Sequence, residues 1–232
     1  MILNYLNNLK MNKANEDLGK IFEKSICLLY DTEFIGNYKY SLENAIKLKD
    51  KIYNFKYIYP YNLKHIANKN NRYDFINDND NYLSAKTTKK DGKICPQKIG
   101  QTTRKKFCEY LELEYKNVEE IKEYIINNIS FLLEKYFETT FDCSIIYYNQ
   151  YKNLLLFIKK IENINWNIYD IKFSHINKNK SWNESSSISI NNINIGEFQI
   201  HKNRDCIKFR WYLEKMLKLF DYIFEIIEIP LL

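Results

Sequence analysis

Five consecutive turn-forming residues, Asn77-Asp78-Asn79-Asp80-Asn81, separate two short runs of aromatic and β-compatible side chains. The runs are Arg72-Tyr73-Asp74-Phe75-Ile76 and Tyr82-Leu83-Ser84-Ala85-Lys86-Thr87. Asn and Asp side chains bond to the backbone that follows them and tolerate left-handed φ, so the pattern predicts a β-hairpin. With only 5 Gly and 3 Pro in 232 residues, the rest of the chain is expected to form long regular elements with few tight turns.

The apolar period changes on either side of this hairpin. Leu18, Ile21, Phe22, Ile26 and Leu29 fall at helical spacing and predict a helix from about Asn15 to Tyr30. Glu16 and Glu23 lie seven apart, on one face of it. A second helix is expected from Ser41, as N-cap, to Phe55. After a turn at Asp91-Gly92, Thr102 or Thr103 is expected to cap a helix through Glu112, and a longer helix should run from Val118 to about Phe137. Strands are predicted at Cys143–Tyr148, Leu154–Ile158, Ile188–Ile200 and Ile207–Trp211, the last two around a turn at Asn203–Asp205. Residues 177–187 read as a polar loop, and Leu213–Ile227 as a closing helix. This order predicts a mixed α/β (α+β) fold.

Five cysteines, an odd number without a CxxC pair, argue against a disulfide framework or zinc knuckle and for reduced thiols. The first residues lack a signal-peptide pattern, and no apolar run reaches the ~18 residues that span a bilayer. The expectation is a cytoplasmic protein with no membrane partner. The net charge of +6 is modest, but its placement is uneven. Lys86, Lys89, Lys90, Lys93, Lys98, Arg104, Lys105 and Lys106 face one acid, Asp91, so this stripe carries +7 and the other residues sum to −1. A basic stripe on a near-neutral body suits a polyanionic ligand.

The chemistry-bearing pattern lies at the start of that stripe. Alternation puts Ser84 and Lys86 on one face of their strand, and Asp74 on the partner strand can approach both. A carboxylate is an oxygen ligand for Mg²⁺. A nearby lysine can orient an attacking water and offset transition-state charge. Hydrolysis of a phosphodiester by metal-activated water needs these parts.

The arrangement of Asp74, hairpin turn and Lys86 resembles the PD-(D/E)xK superfamily, which includes most type II restriction endonucleases. Tyr73 stands where the family has Pro, and Ser84 stands where it has its second acid. In some members that acid is carried by a neighbouring helix; Glu23 is the first candidate here and Glu16 the second. The resemblance covers roughly residues 15–110. It implies a restriction-endonuclease-like central mixed sheet flanked by helices. One nuclease domain over 1–232 is expected, with a catalytic half at 15–112 and a helix and recognition-hairpin half at 113–232. It also implies an Mg²⁺-dependent endonuclease that cuts both strands of double-stranded DNA at a short sequence. Asp74 and Glu23 would hold metal, Lys86 would assist the water, and Ser84 would hold a water or the lysine. A homodimer and a separate companion DNA methyltransferase are part of the same implication. The alternatives are a structure-selective or repair nuclease of the same fold, or a DNA-binding module whose site has decayed.

Two surfaces are candidates for the nucleic acid. In the stripe, Lys98, Lys105 and Lys106 suit phosphates, while Gln97, Gln101 and Arg104 suit base edges. In the later hairpin, Gln199, His201, Lys202, Arg204, Lys208 and Arg210 are polar positions among inward apolar ones.

Overall fold

The computed structural model describes residues 15–67, 71–90, 92–174, 182, 184–201 and 203–232; the side chains of Asn15 and Glu16 lie outside that description, as does Lys202. The fold is mixed α+β, as expected. A six-stranded sheet runs in the order β1 (Leu63–His65), β2 (Phe75–Asn77), β3 (Tyr82–Thr88), β6 (Ser144–Asn149), β7 (Leu154–Lys160) and β12 (Phe224–Glu228). Its neighbours are antiparallel except for the parallel pair β3–β6. A second, antiparallel sheet holds β4 (Lys93–Ile94), β11 (Ile207–Tyr212), β10 (Ile193–Ile200), β9 (Ser185–Ile190) and β8 (Lys172–Phe173), with β5 (Gln101–Thr102) also pairing β11.

Both faces of the first sheet are buried, so its central strands read as continuous apolar runs. Ile146, Tyr148, Leu155 and Phe157 face one core, which also holds Leu18, Phe22 and Ile26 of helix α1 (Asn15–Leu29) and Ala45 and Leu48 of α2 (Leu42–Lys51). Ile145, Tyr147, Leu156 and Ile158 face the other. There they meet α5 (Val118–Asn127), α6 (Ile129–Thr140) and the apolar side of the second sheet, Phe198, Phe209 and Trp211. Two short helices, α3 (Phe55–Ile58) and α4 (Arg104–Tyr110), and α7 (Leu213–Leu219) complete the set described.

The predicted hairpin is present, organised by one side chain. Asn77 Oδ1 accepts from the backbone N–H of Asn79 and of Asn81, each at 2.9 Å, and Asp80 takes φ 59°. Ser41 and Thr103 cap their helices as expected, accepting from Asn44 N at 3.2 Å and Lys106 N at 3.3 Å.

Four expectations need correction. The long helix after Val118 is two helices, broken at Asn128, whose side-chain amide bonds to Tyr124 O at 2.9 Å and competes with the helical ladder. The alternating stretch Ile188–Ile200 is a hairpin, turned at Asn191-Asn192 with φ of 51° and 63°, the left-handed pair that two-residue hairpins need. The closing helix stops at Leu219, and Phe224–Glu228 instead pairs along β7, covering an edge that would leave backbone groups unpaired. The polar stretch 177–187 gives way to β9 at Ser185, and within it Trp182 is 1% exposed and stacked on Phe173. Residues 175–181 and 183 lie outside the described residues.

Candidate active site

Strand pairing sets the geometry. Phe75 pairs Leu83, which places Asp74 opposite Ser84 at the end of the β2–β3 ladder. Phe75 and Leu83 belong to the α1 side of the sheet, so Asp74, Ser84 and Lys86 point to the other side. Asp74 Oδ2 accepts from Ala85 N at 2.7 Å and from Ser84 Oγ at 3.0 Å, and Lys86 Nζ lies 3.9 Å from it. These three side chains are therefore brought together, as the spacing predicts. Asp74 and Lys86 each keep about a fifth of their side-chain surface in contact with solvent.

Gln97 joins them, in a role the sequence did not suggest. Its Nε2 donates to Ser84 Oγ at 2.6 Å, while its Oε1 is buried with no hydrogen-bond partner among the described residues. A tight loop carries it there. An added Cβ on Gly100 would lie 2.2 Å from Pro96 O, so only glycine lets the loop close on itself. Phe209 N then bonds to Gly100 O at 2.8 Å and ties the loop to β11. The Pro96–Gly100 spacing is the one signal in the sequence that could have marked this loop.

Glu23 is not brought to Asp74. It sits on the α1 side of the sheet, where Gly19, one turn before it, lies over Thr87. Its carboxylate takes Lys20 Nζ at 2.7 Å and His65 Nε2 at 3.4 Å. His65 Nδ1 accepts from Ile35 N at 2.9 Å, so the ring proton belongs on Nε2, facing Glu23. Burial opposes ionisation of Glu23, but the bonds from His65 and Lys20 outweigh it and hold the carboxyl below its usual range.

Carboxylates of the surrounding elements are also paired. Asp142 holds Arg72 and Tyr73 OH, both at 2.6 Å. Glu197 takes Lys93, Arg210, Gln199 and Tyr212, and Glu214 takes Lys152, Asn149 and Tyr147. Among the described residues no three His, Cys, Asp or Glu side chains converge on a metal position. Asp74 Oδ1 has no hydrogen bond among the described residues, and Gln97 Oε1 is unpaired; both are hard oxygen donors. That donor set fits Mg²⁺, which takes one or two carboxylates and keeps several waters. The thiols nearby do not suit a soft metal. Burial pushes Cys143 up to about 12 and raises Cys95, so both stay protonated at neutral pH.

Cys95 is within electrostatic reach of Lys86, Lys208 and Arg210, so the outward face of β10–β11 lies beside the site. That face carries Glu197, Gln199, Lys208 and Arg210, alternating with buried Phe198, Ile200, Ile207 and Phe209. Lys98, Gln101, Lys105 and Arg204 are exposed, and Lys105 lies 3.8 Å from Glu109. Arg104 is held by Asp205 at 2.9 Å and packs over Tyr115; His201 lies 3.1 Å from Glu184. No helix of the described residues is long and apolar enough to cross a membrane.

No protein-family model matches the chain, and no solved structure matches it. Over 214 residues, 91% of its length, the chain is 47% identical to a protein named type II restriction enzyme CviAII, from Paramecium bursaria Chlorella virus 1. The match covers 62% of that relative, so the chain spans less than two thirds of the relative's length.

Proposed function

We propose that the chain is an endonuclease of the type II restriction class, with a PD-(D/E)xK-like site, that cuts double-stranded DNA at a short specific sequence in the presence of Mg²⁺. The observation that carries this reading is the convergence of Asp74, Ser84 and Lys86 across one antiparallel strand pair, with Lys86 Nζ 3.9 Å from the carboxylate. The extensive likeness to a named restriction enzyme supports it.

In this reading Asp74 Oδ1 would hold the cation. When bound, Mg²⁺ supplies a lowered water pKa and neutralises charge on the phosphate. Ala85 N–H and Ser84 Oγ–H fix the rotation of the Asp74 carboxylate. Lys86, tethered near Asp74, is placed to donate to a nucleophilic water or to a non-bridging phosphate oxygen. Lys208 and Arg210, with the exposed Lys98 and Lys105, provide the cationic wall along which a phosphate backbone would lie. A homodimer acting on both strands, and a companion methyltransferase that protects host DNA, belong to the same proposal.

A second reading, a DNA-binding module without catalysis, is favoured by one fact: Ser84 stands where a second carboxylate would serve. Incubation of plasmid DNA with the protein and Mg²⁺ separates the two. Discrete fragments that vanish with Asp74→Ala and with Lys86→Ala support the nuclease. Binding without cleavage, unchanged by Asp74→Ala, supports the module. Cutting of branched DNA irrespective of sequence would instead mark a structure-selective nuclease.

A further inference from the structure

We propose that Gln97 is a direct protein ligand of the divalent cation, its Oε1 replacing the carboxylate that Ser84 does not provide. The inference rests on the nuclease reading above and extends it to one more residue.

The orientation of the amide follows from a chain of hydrogen bonds. Ser84 Oγ donates its proton to Asp74 Oδ2 at 3.0 Å. A hydroxyl has one proton, so Ser84 can only accept from its other neighbour. Gln97 must therefore offer its Nε2, at 2.6 Å, and turn Oε1 away from Ser84. That oxygen is buried and has no hydrogen-bond partner among the described residues. A buried acceptor without a partner is unfavourable, and each such group needs an explanation. A cation shared with the second oxygen of Asp74 satisfies it.

Position is not left to a mobile side chain. Pro96 and Gly100 close the loop, Ile99 is 3% exposed, and Gly100 O is bonded to β11. The same serine orients both oxygens, Asp74 through its proton and Gln97 through its lone pair. Ser84 thus acts as a hinge pin between two ligands and is not a failed ligand. Glu23 lies across the sheet, and the carboxylates of the surrounding elements, Asp142, Glu197 and Glu214, are each held by two or more partners.

The test measures metal binding in the absence of DNA. Mn²⁺ is titrated into the folded protein and followed by electron paramagnetic resonance, with circular dichroism melts as the check on folding. Gln97→Leu keeps the volume and loses the oxygen, and its Mn²⁺ affinity should fall by about tenfold. Gln97→Glu loses the donor to Ser84 but gains a charged ligand, and should bind at least as tightly as wild type. A merely structural role predicts equal weakening in the two, because both variants lose the bond to Ser84. Wild-type affinity in Gln97→Leu, or equal weakening in both variants, overturns the assignment while Asp74→Ala still abolishes binding. If Asp74→Ala itself binds Mn²⁺ like wild type, the active-site reading fails, and the inference with it.

Discussion

The two faces of the β2–β3 hairpin each carry a carboxylate beside a cation, and they differ in what those groups leave unpaired. On the α1 face, Glu23 is 7% exposed and saturated by Lys20 and His65, and His65 is itself fixed by Ile35 N–H. On the opposite face, Asp74 keeps one oxygen without a hydrogen bond among the described residues, Lys86 stands 3.9 Å from the other oxygen, and Gln97 Oε1 is orphaned. Burial alone does not distinguish a structural carboxylate from a functional one. A closed set of partners marks the first, and oxygens left without a hydrogen-bond partner mark the second.

The sharpest test of this contrast is Asp74→Asn. It keeps an acceptor for Ala85 N–H but loses the charge, and cleavage measured on a cut plasmid should fall on the order of 10³-fold. The melting temperature should barely move, and a large drop would place Asp74 with the structural class. Gly100→Ala comes next. Its methyl meets the Pro96 backbone, so urea unfolding should show a loss of about 1–3 kcal/mol, with weakened Mn²⁺ binding as Gln97 shifts.

Glu23→Gln should cost about 2 kcal/mol of stability at pH 7 and leave cleavage near wild type below the melting transition. Because the fold lowers the Glu23 pKa, its stabilisation is present above the unfolded value of about 4.5 and is lost as pH falls through the lower folded value. The stability gap between wild type and Glu23→Gln should therefore be full at pH 7 and narrow as pH falls below about 4.5. Cleavage lost at unchanged stability would return Glu23 to the metal shell and break the contrast. The smallest effect belongs to Lys105→Ala. It should weaken DNA binding only slightly and reduce the slope of log affinity against log salt by about 1.

Several of these features were legible in the residues alone. The Asn-Asp turn, Ser41 and Thr103 act through their own neighbouring backbone, so their consequences are local and readable. The juxtaposition of Asp74, Ser84 and Lys86 followed from a turn of known type and a period of two. The α+β class and the inward and outward sides of β10–β11 followed from apolar alternation. Other features depended on partners distant in the chain. Phe224–Glu228 extends because β7 has an edge to pair with, which outweighs the helical spacing of its side chains. Gln97 meets Ser84, thirteen positions away, because Gly100 docks its loop on β11. Glu23 lies on the expected helix, but the sheet stands between it and Asp74, and spacing within one helix cannot say which face of a sheet it will cover. Local hydrogen bonds and side-chain period were thus determined by sequence; the ligands available to one carboxylate were decided by packing, which brings together donors that the chain keeps apart.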